Sequence, residues 1–256
     1  MHSLKSFSDI LVGLNRSNNT VKAYTNDLAK YFENYDAITE SNLQSYIIKN
    51  KNLSASSMHR RITAIKVYCK LFNIDINFSI IAKPRLKYRE ANFITDTAFK
   101  EGIQRIRVYK FRKHSRDHVS NLFDMLYNTG LRIDELTHLN KSNIDTETKS
   151  LVVIGKGNKE RRIPVNDRIL FYLDQYFITF LNRTSKSTIS FWTKLFFGKE
   201  YSPHSFRHGY TTKLINSGAG ENIVKKVLGH ESFTTTLRYF HNNFEEITDA
   251  VNLAIS

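Results

Sequence analysis

The sequence predicts a mainly α-helical protein with two domains and one small β element. Helical spacing of apolar residues runs through most of the 256 residues, whereas β patterns are confined to one short region. A proline within a basic cluster interrupts the helical pattern after about one third of the chain, which indicates a domain boundary. With 41% apolar residues, the chain has the composition of a globular protein that buries a core.

The first predicted domain, residues 1–82, is an all-helical unit. Apolar residues recur at helical spacing in three segments, and each segment follows a residue whose side chain can cap a helix. The third segment also carries basic residues on its other face. The predicted caps are Asn18 or Asn19 for the first helix, Thr39 for the second and Ser54 or Ser56 for the third.

Residues 83–93 are predicted to form a linker between the domains. Pro84 disfavours helix at the residue before it, and four basic residues surround it. A basic linker can lie along a polyanion or be surrounded only by solvent, and the sequence leaves both interpretations open.

The second predicted domain, residues 94–256, is mostly helical and contains one β-hairpin. An extended run at 150–154 is followed by turn residues, with Lys156 between two glycines, and by a second run at 161–165. Helical patterns fill the remainder, near residues 96–110, 115–129, 133–139, 167–181, 188–197, 204–217, 220–228, 232–239 and 244–256.

The charge of the chain indicates a polyanionic partner. The formal net charge is +14, and residues 1–90 contribute 14 basic and 7 acidic side chains, so half of the excess lies in the first third. Nucleic acid and an acidic membrane surface both fit such a charge. No run of about 18 apolar residues indicates a membrane span, and the N-terminus lacks the apolar run of a signal peptide. We therefore expect a cytoplasmic protein.

A metal site is not predicted. Two H-x-x-x-H pairs, His204 with His208 and His114 with His118, have a spacing that occurs in zinc sites. The metalloprotease version needs a glutamate directly after the first histidine, and both pairs have serine there. The lone cysteine, Cys69, offers neither a disulfide nor a thiolate cluster.

Several side chains suited to phosphate chemistry are ambiguous when taken singly. Arg207 follows His204 by three residues, so both share a helix face, and a guanidinium can bind two phosphate oxygens. A surface helix produces the same spacing. Arg132 precedes Glu135 by three residues, and the two can simply form a surface ion pair. Tyr239 is one of 13 tyrosines, for which a core position is the default.

Taken in order, these residues form a specific set. The chain contains Thr129-Gly130-Leu131-Arg132-x-x-Glu135-Leu136, then Gly155-Lys156-Gly157-x-Lys159-x-Arg161, His204-x-x-Arg207-His208, Leu228-Gly229-His230 and Tyr239. This order resembles the tyrosine recombinases, or phage integrases, and is most similar to the simple two-domain, Xer-like type. The resemblance implies a helical, SAM-like core-binding domain followed by a mixed, mostly helical catalytic domain with a small sheet.

The resemblance also implies roles. Tyr239 would attack a DNA phosphate and form a 3′-phosphotyrosyl bond, without metal, ATP or another cofactor. Arg132 and Arg207 would hold the phosphate, with His204 as a helper and proton acceptor. Lys156 would be the general acid, with Lys159 as its competitor, His230 would orient the phosphoryl group, and Glu135 would support the site. The implied partner is double-stranded DNA, bound by a homo-tetramer or together with a paralogous recombinase.

Other interpretations stay open. A relative that only binds DNA would keep the fold without strand transfer. A type IB topoisomerase or a telomere resolvase shares the chemistry. In the first domain, Arg60, Arg61 and Lys66 of the third helix are candidate DNA contacts, although such residues can also bind phosphates without reading sequence.

Overall fold

The chain divides into two compact units, residues 1–89 and 90–256. The predicted linker, residues 83–93, includes this division, but its central residues are not described, so the linker stays a prediction. The structure, a computed structural model, describes residues 3–85, 92–155, 160–174, 180–181 and 183–229.

The described part of the first unit is helical, as predicted. Each helix begins at a serine or threonine whose side-chain oxygen accepts a hydrogen bond from a first-turn backbone N–H. Thr39 and Ser54 are caps as predicted, whereas Ser17, not Asn18 or Asn19, caps the helix at residue 18. The helices are α1, Leu4–Gly13; α2, Asn18–Phe32; α3, Glu40–Lys49; and α4, Ala55–Leu71.

Helix α1 was not predicted from the sequence. Its signal is a serine cap, Ser3, followed by Phe7 and Leu11 at helical spacing, both fully buried. The core that these residues join is rich in aromatic rings, and Phe7 lies edge-on to Tyr68 with 5.4 Å between ring centroids. Cys69 is buried in the same core.

The second unit combines helices with a three-stranded antiparallel sheet of order β1-β2-β3. The predicted hairpin is confirmed as β2 and β3, which pair from Ser150 with Pro164 to Ile154 with Glu160. The short strand β1 was not predicted, because two residues are too few to show a period. The strands are β1, Ile144–Asp145; β2, Ser150–Ile154; and β3, Glu160–Pro164.

The helical predictions for this unit are confirmed within a few residues wherever the chain is described. Residues 232–239 and 244–256 lie outside the described residues. The helices are α5, Asp96–Val108; α6, Arg116–Thr129; α7, Ile133–Thr137; α8, Asp167–Asp174; α9, Lys186–Phe196; α10, Pro203–Asn216; and α11, Glu221–Leu228, with a 3-10 turn at Lys141–Asn143.

Helix α6 lies at the centre of this unit's core, with Leu122, Phe123 and Leu126 fully buried. Helix α10 packs against α6 and also approaches the backbone before α5. A Cβ built on Gly209 would lie 2.4 Å from the carbonyl oxygen of Ile94, so α10 can approach that closely only with glycine there. The fold thus fixes the position of the helix that carries His204 and Arg207.

Candidate active site

Arg207 is held in the interior by backbone carbonyls. Only 5% of the residue is exposed, and its guanidinium donates to the carbonyl oxygen of Gly130 at 2.7 Å and to that of Leu228. Burial, followed by the positive charge of Arg132, lowers the pKa of Arg207 to about 9, so it stays charged at neutral pH. Two of its N–H groups are therefore fixed, and the planar fork has a set direction.

Arg132 lies at the start of α7, just after the helix end at Gly130. Its backbone N–H donates to Oε2 of Glu135 at 2.7 Å, and its Nη1 donates to Oε1 of the same residue at 2.8 Å. Its side chain is 30% exposed, whereas that of Glu135 is only 6% exposed. One edge of the Arg132 guanidinium is thus anchored inside, and the side chain still reaches solvent.

Arg161 is a third guanidinium at this site. It projects inward from β3, donates from Nη1 and Nη2 to the two oxygens of Glu135 at 2.8 Å each, and donates from Nε to the carbonyl of Val227 at 2.8 Å. Arg161 belongs to the ordered set of sequence motifs, but no role was predicted for it. The only local signal is that Arg161 lies two residues before the apolar Ile163, so the two side chains share one face of the strand.

Three arginines converge on one helix end. The carbonyls of Val227, Leu228 and Gly229, at the last turn of α11, accept hydrogen bonds from Arg161, Arg207 and Arg132, respectively, the last at 3.5 Å. Carbonyls at a helix C-terminus carry partial negative charge and lack partners within the helix, so cations stabilise them.

The charges at this site do not cancel. Three guanidiniums face one carboxylate, which leaves two positive charges in excess. Burial alone would raise the pKa of Glu135, but hydrogen bonds from Arg161 and Arg132 outweigh it and lower the pKa to about 2. Glu135 is therefore ionised, and the surplus charge can bind an anion such as a phosphate.

His204 lies in the first turn of α10, one turn before Arg207. The imidazole is exposed at the surface, but the protein packed around it lowers its pKa by desolvation, and the charges of Arg207 and Arg132 lower it further. A neutral imidazole in this position can accept a proton at neutral pH.

The structure thus brings together Arg132, Glu135, His204 and Arg207, which are separated in sequence by up to 75 positions. Lys156, His230 and Tyr239 lie outside the described residues, so their positions in the site stay predictions.

The predicted DNA contacts of α4 differ in their surroundings. Arg60 is exposed and forms a bidentate ion pair with the buried carboxylate of Asp27, at 2.7 and 3.0 Å, and Lys66 is exposed. Arg61 is only 9% exposed and donates to the hydroxyl of Tyr46 at 2.8 Å. The structure therefore gives Arg61 a role in packing, which leaves Arg60 and Lys66 as the predicted contacts of this helix.

The described part of the chain also lacks two features. Within it, no group of three or more histidine, cysteine, aspartate or glutamate residues is placed to hold a metal ion. None of its helices is long and apolar enough to cross a membrane.

Comparison with known proteins identifies the class. A family model described as the phage integrase family matches residues 85–246, and one described as phage integrase, N-terminal SAM-like domain, matches residues 4–72. The chain therefore belongs to the phage integrase family, the tyrosine recombinases.

Particular relatives are similar over nearly their whole length. Tyrosine recombinase XerA of Pyrococcus horikoshii is 26% identical over 272 residues, which cover 98% of this chain and 93% of that protein. Tyrosine recombinase XerD of Haemophilus influenzae is 27% identical over 269 residues, with 88% of each chain covered.

Solved structures share the fold. The Tn1549 transposon integrase in complex with transposon right end DNA gives a TM-score of 0.75 at 16% identity, with 100% of both chains covered. The XerH site-specific recombinase bound to difH gives 0.71 at 15% identity, covering 97% of this chain and 83% of that one.

Proposed function

We propose that this protein is a site-specific DNA recombinase that cleaves and rejoins strands through a covalent 3′-phosphotyrosyl bond to Tyr239. The observation that carries the proposal is the convergence of Arg132 and Arg207, both anchored by hydrogen bonds, beside His204 at a site with surplus positive charge. Such a site suits a phosphodiester, whose charge increases as a nucleophile attacks it.

The proposed cleavage step is an exchange of one phosphate ester for another. The phenolic oxygen of Tyr239 forms a bond to phosphorus and gives up its proton, for which His204 is the proposed acceptor. The bond from phosphorus to the 5′ oxygen breaks, and Lys156, as the proposed general acid, supplies a proton to that oxygen. His230 orients the phosphoryl group. Because one ester replaces another, a 5′ hydroxyl can reverse the step without ATP.

The arginines are proposed to replace a metal ion. Arg132 and Arg207 each offer planar N–H donors to the non-bridging oxygens, and their positions are set before the DNA arrives. Removing one such donor is expected to lower the cleavage rate by about 10² to 10³. The reaction is therefore expected to proceed in the presence of EDTA.

DNA binding is proposed to involve both units. In the first unit, Arg60 and Lys66 of α4 are the proposed contacts, and the basic linker at 83–93 would lie along the duplex. Recombination joins two duplexes at four strands, so we propose a tetramer on DNA, either of this chain alone or with a paralogous recombinase. Particle mass on DNA, measured by mass photometry, tests the stoichiometry.

A nicked substrate tests the chemistry. Duplexes selected for binding from a random library would be nicked near the centre of the selected sequence, so that cleavage releases a short fragment and traps the intermediate. The wild-type protein should form an adduct that resists SDS and is destroyed by protease, with or without EDTA. Tyr239→Phe should bind the same DNA and form no adduct.

The same substrates separate the alternatives. Binding without any adduct would mean that the chain is a DNA-binding relative without strand transfer. Relaxation of supercoiled plasmid that lacks the selected sequence would favour a topoisomerase. Either outcome would contradict the proposal.

A further inference from the structure

The arginine of β3 is more deeply enclosed than Arg132, one of the two arginines assigned to the phosphate. The side chain of Arg161 is 7% exposed, whereas that of Arg132 is 30% exposed. All three nitrogens of the Arg161 guanidinium already donate to protein oxygens. Arg161 therefore differs from Arg132, because its fork is directed into the protein and not toward a ligand.

The carboxylate of Glu135 links Arg161 to Arg132. Its Oε1 accepts from Nη1 of both arginines, and its Oε2 accepts from Nη2 of Arg161 and from the backbone N–H of Arg132. Four donors occupy the acceptor sites of one carboxylate. A change in Arg161 would therefore let Glu135 turn, and the guanidinium of Arg132 would turn with it.

A second contact of Arg161 reaches the end of α11. Its Nε donates to Val227, two residues before Gly229, and a Cβ built on Gly229 would lie 3.0 Å from Cδ of Arg161. The backbone at Gly229 has φ +64°, a conformation that glycine adopts readily, and it leads directly to residue 230.

We propose that Arg161 is a positioning residue that does not touch DNA and that fixes both the guanidinium of Arg132, through Glu135, and the turn before residue 230, through the carbonyl of Val227. The inference rests on the proposed function, because its consequence is the rate of phosphate cleavage. Through Arg161, β3, the strand that follows Lys156 in the sequence, is also connected to the site that contains Arg132.

Arg161→Met, Arg161→Lys and Arg162→Met form a matched set. Arg162 is the next residue on β3, but its side chain is 56% exposed and pairs with Asp145 on the sheet. The rate of adduct formation is measured in a single turnover at saturating nicked DNA. The dissociation constant is measured in the Tyr239→Phe background, and circular dichroism checks folding at the assay temperature.

The methionine variant should bind DNA as the wild type does and cleave it about 10²-fold more slowly, which is the loss expected from a displaced catalytic group. The lysine variant should lose less, because an ammonium can reach one carboxylate oxygen but cannot span both of them and Val227. If the methionine variant does not fold, the cleavage rate of the lysine variant tests the inference on its own. Arg162→Met should cleave at the wild-type rate.

A pH profile distinguishes positioning from a general loss of structure. In Arg161→Met, Glu135 stays buried but loses two hydrogen bonds, so its pKa rises. The cleavage rate of this variant should therefore begin to fall at a higher pH than that of the wild type, in which the pKa of Glu135 is about 2. Adding Glu135→Gln should remove that extra pH dependence and cause little further loss of rate.

Three results would overturn the inference while leaving the proposed function in place. Cleavage at the wild-type rate by Arg161→Lys or Arg161→Met would mean that Arg161 does not position the site. Weaker DNA binding in the Arg161 variants, with no change of rate at saturation, would instead mean that Arg161 contacts DNA. Additive losses from Arg161→Met and Glu135→Gln would mean that Arg161 does not act through the carboxylate. A wild-type protein that forms no adduct would fail at an earlier step and overturn the proposed function as well.

Discussion

At the scale of single residues, the site is organised by Glu135 rather than by its arginines. A buried carboxylate that accepts hydrogen bonds from two guanidiniums and a backbone N–H has to stay ionised for all of these contacts to persist. Its position also explains why Arg132 and Arg161 can lie close together despite their like charges, since each is attracted to the same carboxylate.

The first prediction concerns acid stability. The pKa of Glu135 falls from 4.5 to about 2 on folding, which corresponds to roughly 3 kcal/mol of stability that is present above pH 4.5 and is lost as the pH approaches 2. Glu135→Gln should therefore be less stable than the wild type at pH 7, and the difference should shrink as the pH falls through this range. Urea unfolding at several pH values measures it.

Glu101→Gln is the control for that series. Glu101 pairs with Arg105 at 3.3 Å, but both side chains are more than half exposed, and such pairs contribute about 0.5 kcal/mol. Its effect should be small at every pH. A Glu135→Gln difference that does not change with pH would contradict the prediction.

The second prediction concerns Gly229. Alanine there would take a left-handed backbone, which costs about 1 to 2 kcal/mol, and its Cβ would also press on Arg161. Gly218→Ala is the matched control, because its φ is +81° and a Cβ there would meet nothing within 4 Å. Both variants should lose stability in urea unfolding. Only Gly229→Ala should also slow adduct formation, and equal cleavage rates would argue against the contact with Arg161.

The sequence predicted which residues form this site better than it predicted the contacts among them. Arg132, Glu135, His204 and Arg207 stand out because they fall in an ordered set, and the structure brings them together. The inward position of Arg161 depends on the register of β3, which a five-residue strand barely indicates. Its link to Val227 joins positions 66 apart, and no local pattern encodes such a contact.

At the scale of elements, α10 determines where the buried arginine lies. The helix begins at Pro203, whose ring suits the first turn, and the N–H of Ser202 donates to the hydroxyl of Ser205 at 3.1 Å. The helix packs against the backbone near Ile94, whose N–H donates to the carbonyl of Ser205 at 3.0 Å. This contact fixes the position of α10 against the core.

The third prediction tests this packing. A Cβ at Gly209 would lie 2.4 Å from a backbone oxygen, which cannot move aside as a flexible side chain can. Gly209→Ala should therefore shift α10, cost about 1 to 3 kcal/mol as overpacked cores do, and slow cleavage with it. Thermal unfolding and adduct formation are the measurements.

Gly13→Ala provides the comparison. Gly13 ends α1, and a Cβ there would meet nothing within 4 Å. Alanine favours helix over glycine by up to about 1 kcal/mol, so this variant should match or exceed the wild type in stability. A Gly209→Ala protein as stable as Gly13→Ala would show that α10 tolerates the displacement.

Some of the helices and strands could be predicted from local sequence, and others could not. The starts of α3 and α4 were predicted with their caps, Thr39 and Ser54, because capping and periodicity are local, whereas the cap of α2 lies at Ser17, one residue before the predicted position. Strand β1 was not predicted, since Ile144 and Asp145 become a strand only by pairing with Leu151 and Ser150. Helix α1 was missed although Ser3, Phe7 and Leu11 carry the pattern that identified the other helices.

At the scale of the whole molecule, charge and hydrophobic cores are both divided between two units. Residues 1–90, which are the first unit together with Glu90, hold 14 basic and 7 acidic side chains, and residues 91–256 hold 24 and 17, so each part has a net charge of +7. Each unit also has a buried cluster of its own, centred on residues such as Tyr31 in the first and Phe123 in the second. Separate cores allow the units to be produced and measured apart.

The last prediction uses salt to count the phosphates that each unit contacts. Each neutralised phosphate releases counterions, so the logarithm of the binding constant falls with the logarithm of salt concentration, by about 0.9 per contact on duplex DNA. If both units bind the same duplex, the slope of the intact chain should approach the sum of the slopes of residues 1–90 and 91–256. Fluorescence anisotropy with one labelled duplex measures all three proteins.

Variants of α4 determine whether the first unit contributes through the predicted face. Lys66→Gln should reduce the slope of both residues 1–90 and the intact chain by about 1, because a lysine on a phosphate supplies one contact. Lys49→Gln is the control, since Lys49 lies on α3, another helix of the same unit, and donates to the side chain of Asn34 at 2.6 Å. A slope for the intact chain equal to that of residues 91–256 alone would mean that the second unit carries the DNA binding by itself, and the positive charge of the first unit would then need another partner.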